Sequence, residues 1–245
     1  MRIPKTTFFL VLLCLVLVPR AGHTAEDCTA DNRACLLELI EKESAQIDTL
    51  KWKDQTIREL AKTRAFDGQA MEAIALIDKI ETPDTKAMTI RGIGMATADR
   101  HLQPAEYAEI FKALRAKADS ITDPPSYAIA LTYIAMAQAF AKDNEGAWKT
   151  ASDMQNEALR HKAYGETAEI QAENGDAVSA MKSIGFIESE TYRNKAYTTV
   201  SKILTNGGHY AEALTMLNAI TNPYKKAEGI QYLLDTQKPR EIPHQ

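Results

Sequence analysis

Glu157 and His161 stand four residues apart, the spacing that puts a carboxylate and an imidazole on one helix face as metal ligands. No second such pair exists, and His101, His209 and His244 are scattered, so no metal site is expected. Ser179-Ala-Met-Lys182 matches the S-x-x-K of serine acyl enzymes, but the companion S-D-N and K-T-G motifs are missing. Beside Met181 in an apolar-periodic stretch, this Ser and Lys read as solvated residues. Gly92-Ile-Gly94 resembles a piece of a phosphate loop. No strand pattern precedes it and no third glycine follows, so close helix packing explains it better. Glu166, Glu169 and Glu173 share a face at steps of three and four. They could supply the paired acids of glycoside hydrolysis, or simply form a solvated or groove-lining stripe. H-E-x-x-H, G-x-S-x-G and a Walker loop are absent. No catalytic, cofactor-binding or metal residue is therefore expected, and no cofactor.

The elements that carry these residues are helical and repeated. At a shift of 140, Gly68 meets Gly208, Glu72 meets Glu212, Ala73 meets Ala213, Pro83 meets Pro223 and Lys86 meets Lys226. At a shift of 33, Lys162-Ala163-Tyr164 meets Lys195-Ala196-Tyr197, Gly175 meets Gly208 and Ala180 meets Ala213. Ile121-Thr122-Asp123-Pro124 echoes Ile220-Thr221-Asn222-Pro223 at three times that step. One copy, 104–123, is stretched by about two turns of ~3.6 residues. Each unit runs from an apolar-periodic helix into a Gly turn, then a second amphipathic helix, then Asp, Asn, Thr or Pro to start the next. Helices are predicted over 32–49, 53–65, 69–80, 84–99, 104–120, 125–141, 144–156, 158–173, 176–187, 191–205, 209–220 and 223–235. No segment alternates with period two.

Gly208, Ala213, Leu217 and Pro223 resemble the second half of a tetratricopeptide repeat, with its turn glycine, small residue, apolar residue and closing proline. Tyr197 with Val200-Ser201, and less closely Tyr164 with Thr167-Ala168, match the first-helix aromatic and apolar-small pair. The closing proline comes early, several copies lack the aromatic, and residues 26–52 lie outside the pattern. The resemblance covers about 53–235. It implies an all-α fold, a divergent tetratricopeptide-like (TPR-like) α-solenoid, a right-handed superhelix whose first helices line a groove. It also implies a scaffold that binds proteins or peptides and does no chemistry of its own.

By register the groove face carries Ile129, Tyr133, Met136 and Phe140, then Glu166 and Glu169, then Thr198 and Lys202. Tyr133, Met136, Phe140, Glu169 and Lys202 are the expected partner-binding residues. The apolar part of this stripe also reads as core, because flanking helices need such a face. Glu169 and Lys202 occupy equivalent positions and could pair across neighbouring helices. Trp148 opens a second helix at an apolar position and is expected to pack; Trp52 is ambiguous.

Residues 1–25 read as a signal peptide: Arg2 and Lys5, an apolar run from Thr6 to Val18, then small residues before Glu26. The alternative is an uncleaved anchor. With this segment go Arg2, Lys5, Arg20 and Cys14, and the net charge moves from −4 to −7. That mild acidity argues against a nucleic-acid binder. No later apolar run is long enough to span a membrane. Cys28 and Cys35 are left as an even pair in an exported chain, expected to be a disulfide with Cys28 on a non-helical lead-in that folds back. The organisation expected is a signal peptide (1–25), a disulfide-pinned helix (26–52), the solenoid (53–235) and a frayed tail (236–245). The localisation expected is periplasmic or secreted, and the missing N-x-S/T sequon leans towards a bacterial source. The functional expectation is an interaction scaffold. The alternatives are a helical enzyme acting on a cell-envelope polysaccharide, or a subunit that self-associates through its end helices.

Overall fold

The computed structural model describes residues 28–237. The segment expected to be a signal peptide and the tail from Lys238 lie outside the described residues. Twelve α-helices and no strand are present among the described residues: α1 Arg33–Ser44, α2 Leu50–Phe66, α3 Ala70–Leu76, α4 Pro83–Ala98, α5 Pro104–Asp119 and α6 Pro124–Phe140, then α7 Asn144–Ser152, α8 Glu157–Glu173, α9 Ala177–Gly185, α10 Glu190–Asn206, α11 Tyr210–Ala219 and α12 Pro223–Thr236. A short 3-10 turn, Ile77–Lys79, extends α3. The all-helical expectation holds. None of these helices is long and apolar enough to cross a membrane.

By its contacts the chain divides into residues 1–39 and 40–245. In the first unit Cys28 and Cys35 are bridged, with Cα atoms 5.6 Å apart. Cys28 lies before α1, as the helical rise of ~1.5 Å per residue demands. Asn32 Oδ1 accepts from the Cys35 N–H and closes the first turn of the helix.

In the second unit seven helices start at a proline or a side-chain cap. Proline opens α4, α5, α6 and α12, where a missing N–H costs nothing. Asp123, Asp143, Asn156, Asp176 and Asn222 accept from the N–H three residues on and cap α6, α7, α8, α9 and α12. Gly68, Gly175 and Gly208 take positive φ in the turns after α2, α8 and α10. His101 and Lys142 take the same left-handed conformation without being glycine, at φ 53° and 62°. These five turn residues are spaced by 33, except that 41 residues separate His101 from Lys142. The extra length is in α5, which has 16 residues where α7 and α9 have 9.

α2, α4, α6, α8, α10 and α12 pack each on the next in that order, while α3, α7, α9 and α11 pack on the even-numbered helix before them. Small residues permit the close approach. A Cβ built on Gly94 of α4 would lie 3.0 Å from the Ala137 Cβ of α6, so Gly92-Ile-Gly94 serves helix packing. Ala135, Ala139, Ala147 and Ile170 form a buried cluster where α6, α7 and α8 meet.

Candidate functional site

α6 buries most of its surface; Ile129, Tyr133, Met136 and Phe140 form its half-buried stripe at steps of three and four. The stripe is therefore neither free nor closed core: Met136 and Phe140 pack on the Ala135–Ile170 cluster while keeping an open side. Phe140 also lines a cavity of about 910 Å³. Lys62 and Phe66 of α2, Met88, Arg91 and Met95 of α4, Tyr107 of α5, and the two left-handed residues His101 and Lys142 complete the walls that matter here. Arg91 lies over the Tyr133 ring at 5.0 Å, and Lys62 lies 6.0 Å from the Phe66 ring. Neither cation has an ion pair with a carboxylate among the described residues. The lining is thus mainly apolar, with Lys62 and Arg91 held on aromatic faces, Arg58 paired with Glu59, and Asp99 and Lys142 at the wall.

Glu169 is half-buried on α8. Burial pushes its carboxyl above the ordinary glutamate range; Glu166 and Glu173 push the same way, and Lys195 opposes them. The pairing with Lys202 does not form among the described residues. Lys202 lies over the Tyr232 ring of α12 at 5.4 Å, drawn there by an aromatic face that the 33-residue register does not encode. Tyr133, Met136 and Phe140 share α6, and of the three Phe140 lines the cavity, whereas Lys202 is engaged with α12 and not with Glu169.

The other chemical candidates separate in the same way. Ser179 helps to cap α9 and its hydroxyl accepts from Asn144 Nδ2 at 2.9 Å. Lys182 pairs with Glu145 at 3.2 Å and lies 3.7 Å from the Trp148 ring, so S-x-x-K is no acylating pair. Trp148 packs as expected, and its indole N–H donates to Ser183 Oγ at 2.7 Å; Trp52 is exposed. Glu157 and His161 share a face, with Nε2 3.8 Å from the carboxylate oxygen, and Glu188 from the α9–α10 connection approaches both. Glu188 was not foreseeable from helical spacing, because it comes from another element.

A buried polar network was also missed. Thr150 donates to Gln138 Oε1 at 2.7 Å, and Ser183 donates to Gln171 Oε1 at 2.6 Å, each pair shifted by 33 from the other. Gln171 Nε2 donates to Asn144 Oδ1, whose Nδ2 donates to Asp176, so the network runs across successive hairpins. The signal was two glutamines, 33 apart, on otherwise apolar helix faces. No protein-family model, no curated protein and no solved structure matches the chain.

Proposed function

We propose that the chain is an exported interaction scaffold, a tetratricopeptide-like α-solenoid with no chemistry of its own. It holds an extended peptide of a protein partner against the half-buried face of its even-numbered helices. The observation that carries the reading is the 910 Å³ cavity with Phe66, Met88, Met95 and Phe140 beside Lys62 and Arg91, which lie on aromatic faces and pair with neither of the lining acids, Glu59 and Asp99. Apolar area with a few placed charges is the usual make-up of a peptide site. The cations select a peptide with an acidic residue next to apolar ones. His101 and Lys142, strained at positions where the other units use glycine, border the same cavity, and strain tends to collect at functional places. The Cys28–Cys35 bridge suits an oxidising, exported setting.

The test is a peptide library displayed against the purified protein, with selected sequences measured by fluorescence anisotropy. Selected peptides should carry Asp or Glu beside apolar residues. Lys62→Glu and Arg91→Glu should each weaken them about tenfold or more, the effect of placing like charge opposite like charge. Lys202→Glu, engaged with Tyr232, should have the smaller effect. If both reversals bind every selected peptide as the parent does, the cavity is not the site.

A second reading has one observation in its favour. Burial moves the Glu169 carboxyl upward, the direction a general acid acting on an envelope polysaccharide requires. Polysaccharide cleavage that Glu169→Gln abolishes would favour it over the scaffold.

A further inference from the structure

We propose that Glu157, His161 and Glu188 form a site for a divalent transition-metal ion, zinc being the ion the donors suit best. His161 is a buried imidazole, its side chain 1% exposed, and its Nε2 has no hydrogen-bond partner. A buried polar nitrogen left without a partner is uncommon and points to something that satisfies it. Nε2 is aimed towards Glu157 Oε1, but at 3.8 Å the contact is too long for a hydrogen bond. One donor atom from each of Glu157, His161 and Glu188 lies within 4.8 Å of the other two.

Those separations are close to what an ion needs. Ligands ~2.0–2.1 Å from a tetrahedral centre stand about 3.3–3.5 Å apart. Glu157 and Glu188 have side chains 65% and 70% exposed, free to close the remaining distance by rotation about their own bonds. The imidazole itself is fixed. It stands one helical turn from Glu157 on α8, and the Tyr192 ring covers it with centroids 5.5 Å apart. The backbone at Glu188 is fixed as well. Arg193 Nη1 donates to the carbonyl oxygens of Ile187 and Glu188 at 2.7 and 2.8 Å. Arg160 Nη2 lies 3.6 Å from one Glu188 carboxylate oxygen, and a carboxylate has lone pairs enough to serve a guanidinium and an ion together.

The donor set chooses the ion. Calcium and magnesium take oxygen ligands, whereas an imidazole nitrogen with two carboxylates suits zinc and its neighbours. Two carboxylates and a neutral imidazole balance a divalent charge and leave a fourth position open to water or an outside ligand. The ion would tie the start of α8 to the connection between α9 and α10.

The experiment strips the purified protein with a chelator and titrates it with zinc chloride by calorimetry. A parallel titration uses cobalt(II), whose visible absorption reports four-coordinate geometry. One zinc per chain and a tetrahedral cobalt band are expected. Glu157→Gln/Glu188→Gln leaves the buried histidine in place and should weaken zinc at least ~10–100-fold, the loss that even outer partners of a ligand produce. His161→Gln should abolish the cobalt band, and His209→Gln should leave it unchanged. The far-ultraviolet circular dichroism of the double glutamine variant checks that the helices are intact. Absence of saturable binding to the parent, or parent-like binding by the double variant, overturns the site and leaves His161 as a buried ring packed against Tyr192.

Discussion

Ser183→Ala removes one hydroxyl and orphans two groups. Ser183 is wholly buried; its Oγ accepts from the Trp148 indole at 2.7 Å and donates to Gln171 Oε1 at 2.6 Å. Gln171 is 1% exposed and Trp148 8%, so neither group gains free access to water. A buried donor or acceptor left unmade costs about 1–3 kcal/mol. Trp148, nearest the surface, recovers part of its share, which leaves a loss of about 2–4 kcal/mol. Thr150→Ala, one unit earlier, orphans only Gln138 Oε1 and should cost roughly half as much. In Ser183→Ala/Trp148→Phe the indole donor is gone, so the second substitution should cost ~1 kcal/mol less than it does alone. Urea unfolding followed by far-ultraviolet circular dichroism measures all four variants. A Ser183→Ala loss under ~0.5 kcal/mol, below the smallest cost assigned to one orphaned group, would refute the reasoning. So would a cycle with no coupling.

Lys142→Gly should raise stability by about 0.5–1 kcal/mol, since a left-handed side chain costs ~1–2 and the freer unfolded glycine returns ~0.4–1; a lower thermal midpoint would contradict it. Glu169→Gln should stabilise the protein at neutral pH. A carboxyl raised in the folded state penalises folding once the pH passes the ordinary value of 4.5, so the gain should vanish as the pH falls below that value in a pH series of denaturation curves. Asp54→Ala should cost about 1–3 kcal/mol in urea unfolding, because this buried carboxylate accepts from the Glu81 and Thr82 N–H groups ahead of α4. Thiol titration of the folded, unreduced protein should find no free thiol at Cys28 or Cys35, and two would remove the bridge.

The helices were legible because their ends are punctuated. Pro83, Pro104, Pro124 and Pro223 mark starts, Gly68, Gly175 and Gly208 mark turns, and the observed bounds follow them closely. Where punctuation fails, so does the reading. α1 is expected to reach residue 49 but ends at Ser44, whose hydroxyl donates back to the Glu41 carbonyl, and α2 begins at Leu50 rather than 53. No Gly or Pro signals that break. The left-handed turns at His101 and Lys142 were invisible for the same reason, although counting 33 from Gly68 and from Gly175 lands on both. Of the expected groove, the α6 stripe follows from periodicity on a single helix. The Glu169–Lys202 pairing needed the direction of a long side chain, and Tyr232 decides that from α12. Glu188 and the cavity cations belong to sites assembled from separate elements, which spacing along one helix cannot encode. The shift of 140 proved deeper than its matched letters. Asp54 accepts from the Glu81 N–H as Asn194 accepts from the Thr221 N–H, one contact made twice with different residues.

The left-handed turn at Lys142 is followed by Asp143, and the one at Gly175 by Asp176, and each aspartate caps the helix after it. Excising residues 143–175 would therefore join Lys142 to Asp176 and recreate the same turn and cap at the seam. Gln138 would then face Ser183 where Thr150 had stood, a hydroxyl in either case. At this seam the turn, the cap and the buried hydroxyl would thus all be kept, as repeat proteins allow when each unit touches chiefly its neighbours. Gene duplication or loss could change the number of units by the same route. Recipient and donor ends at this seam would already share one grammar of turn, cap and buried hydroxyl.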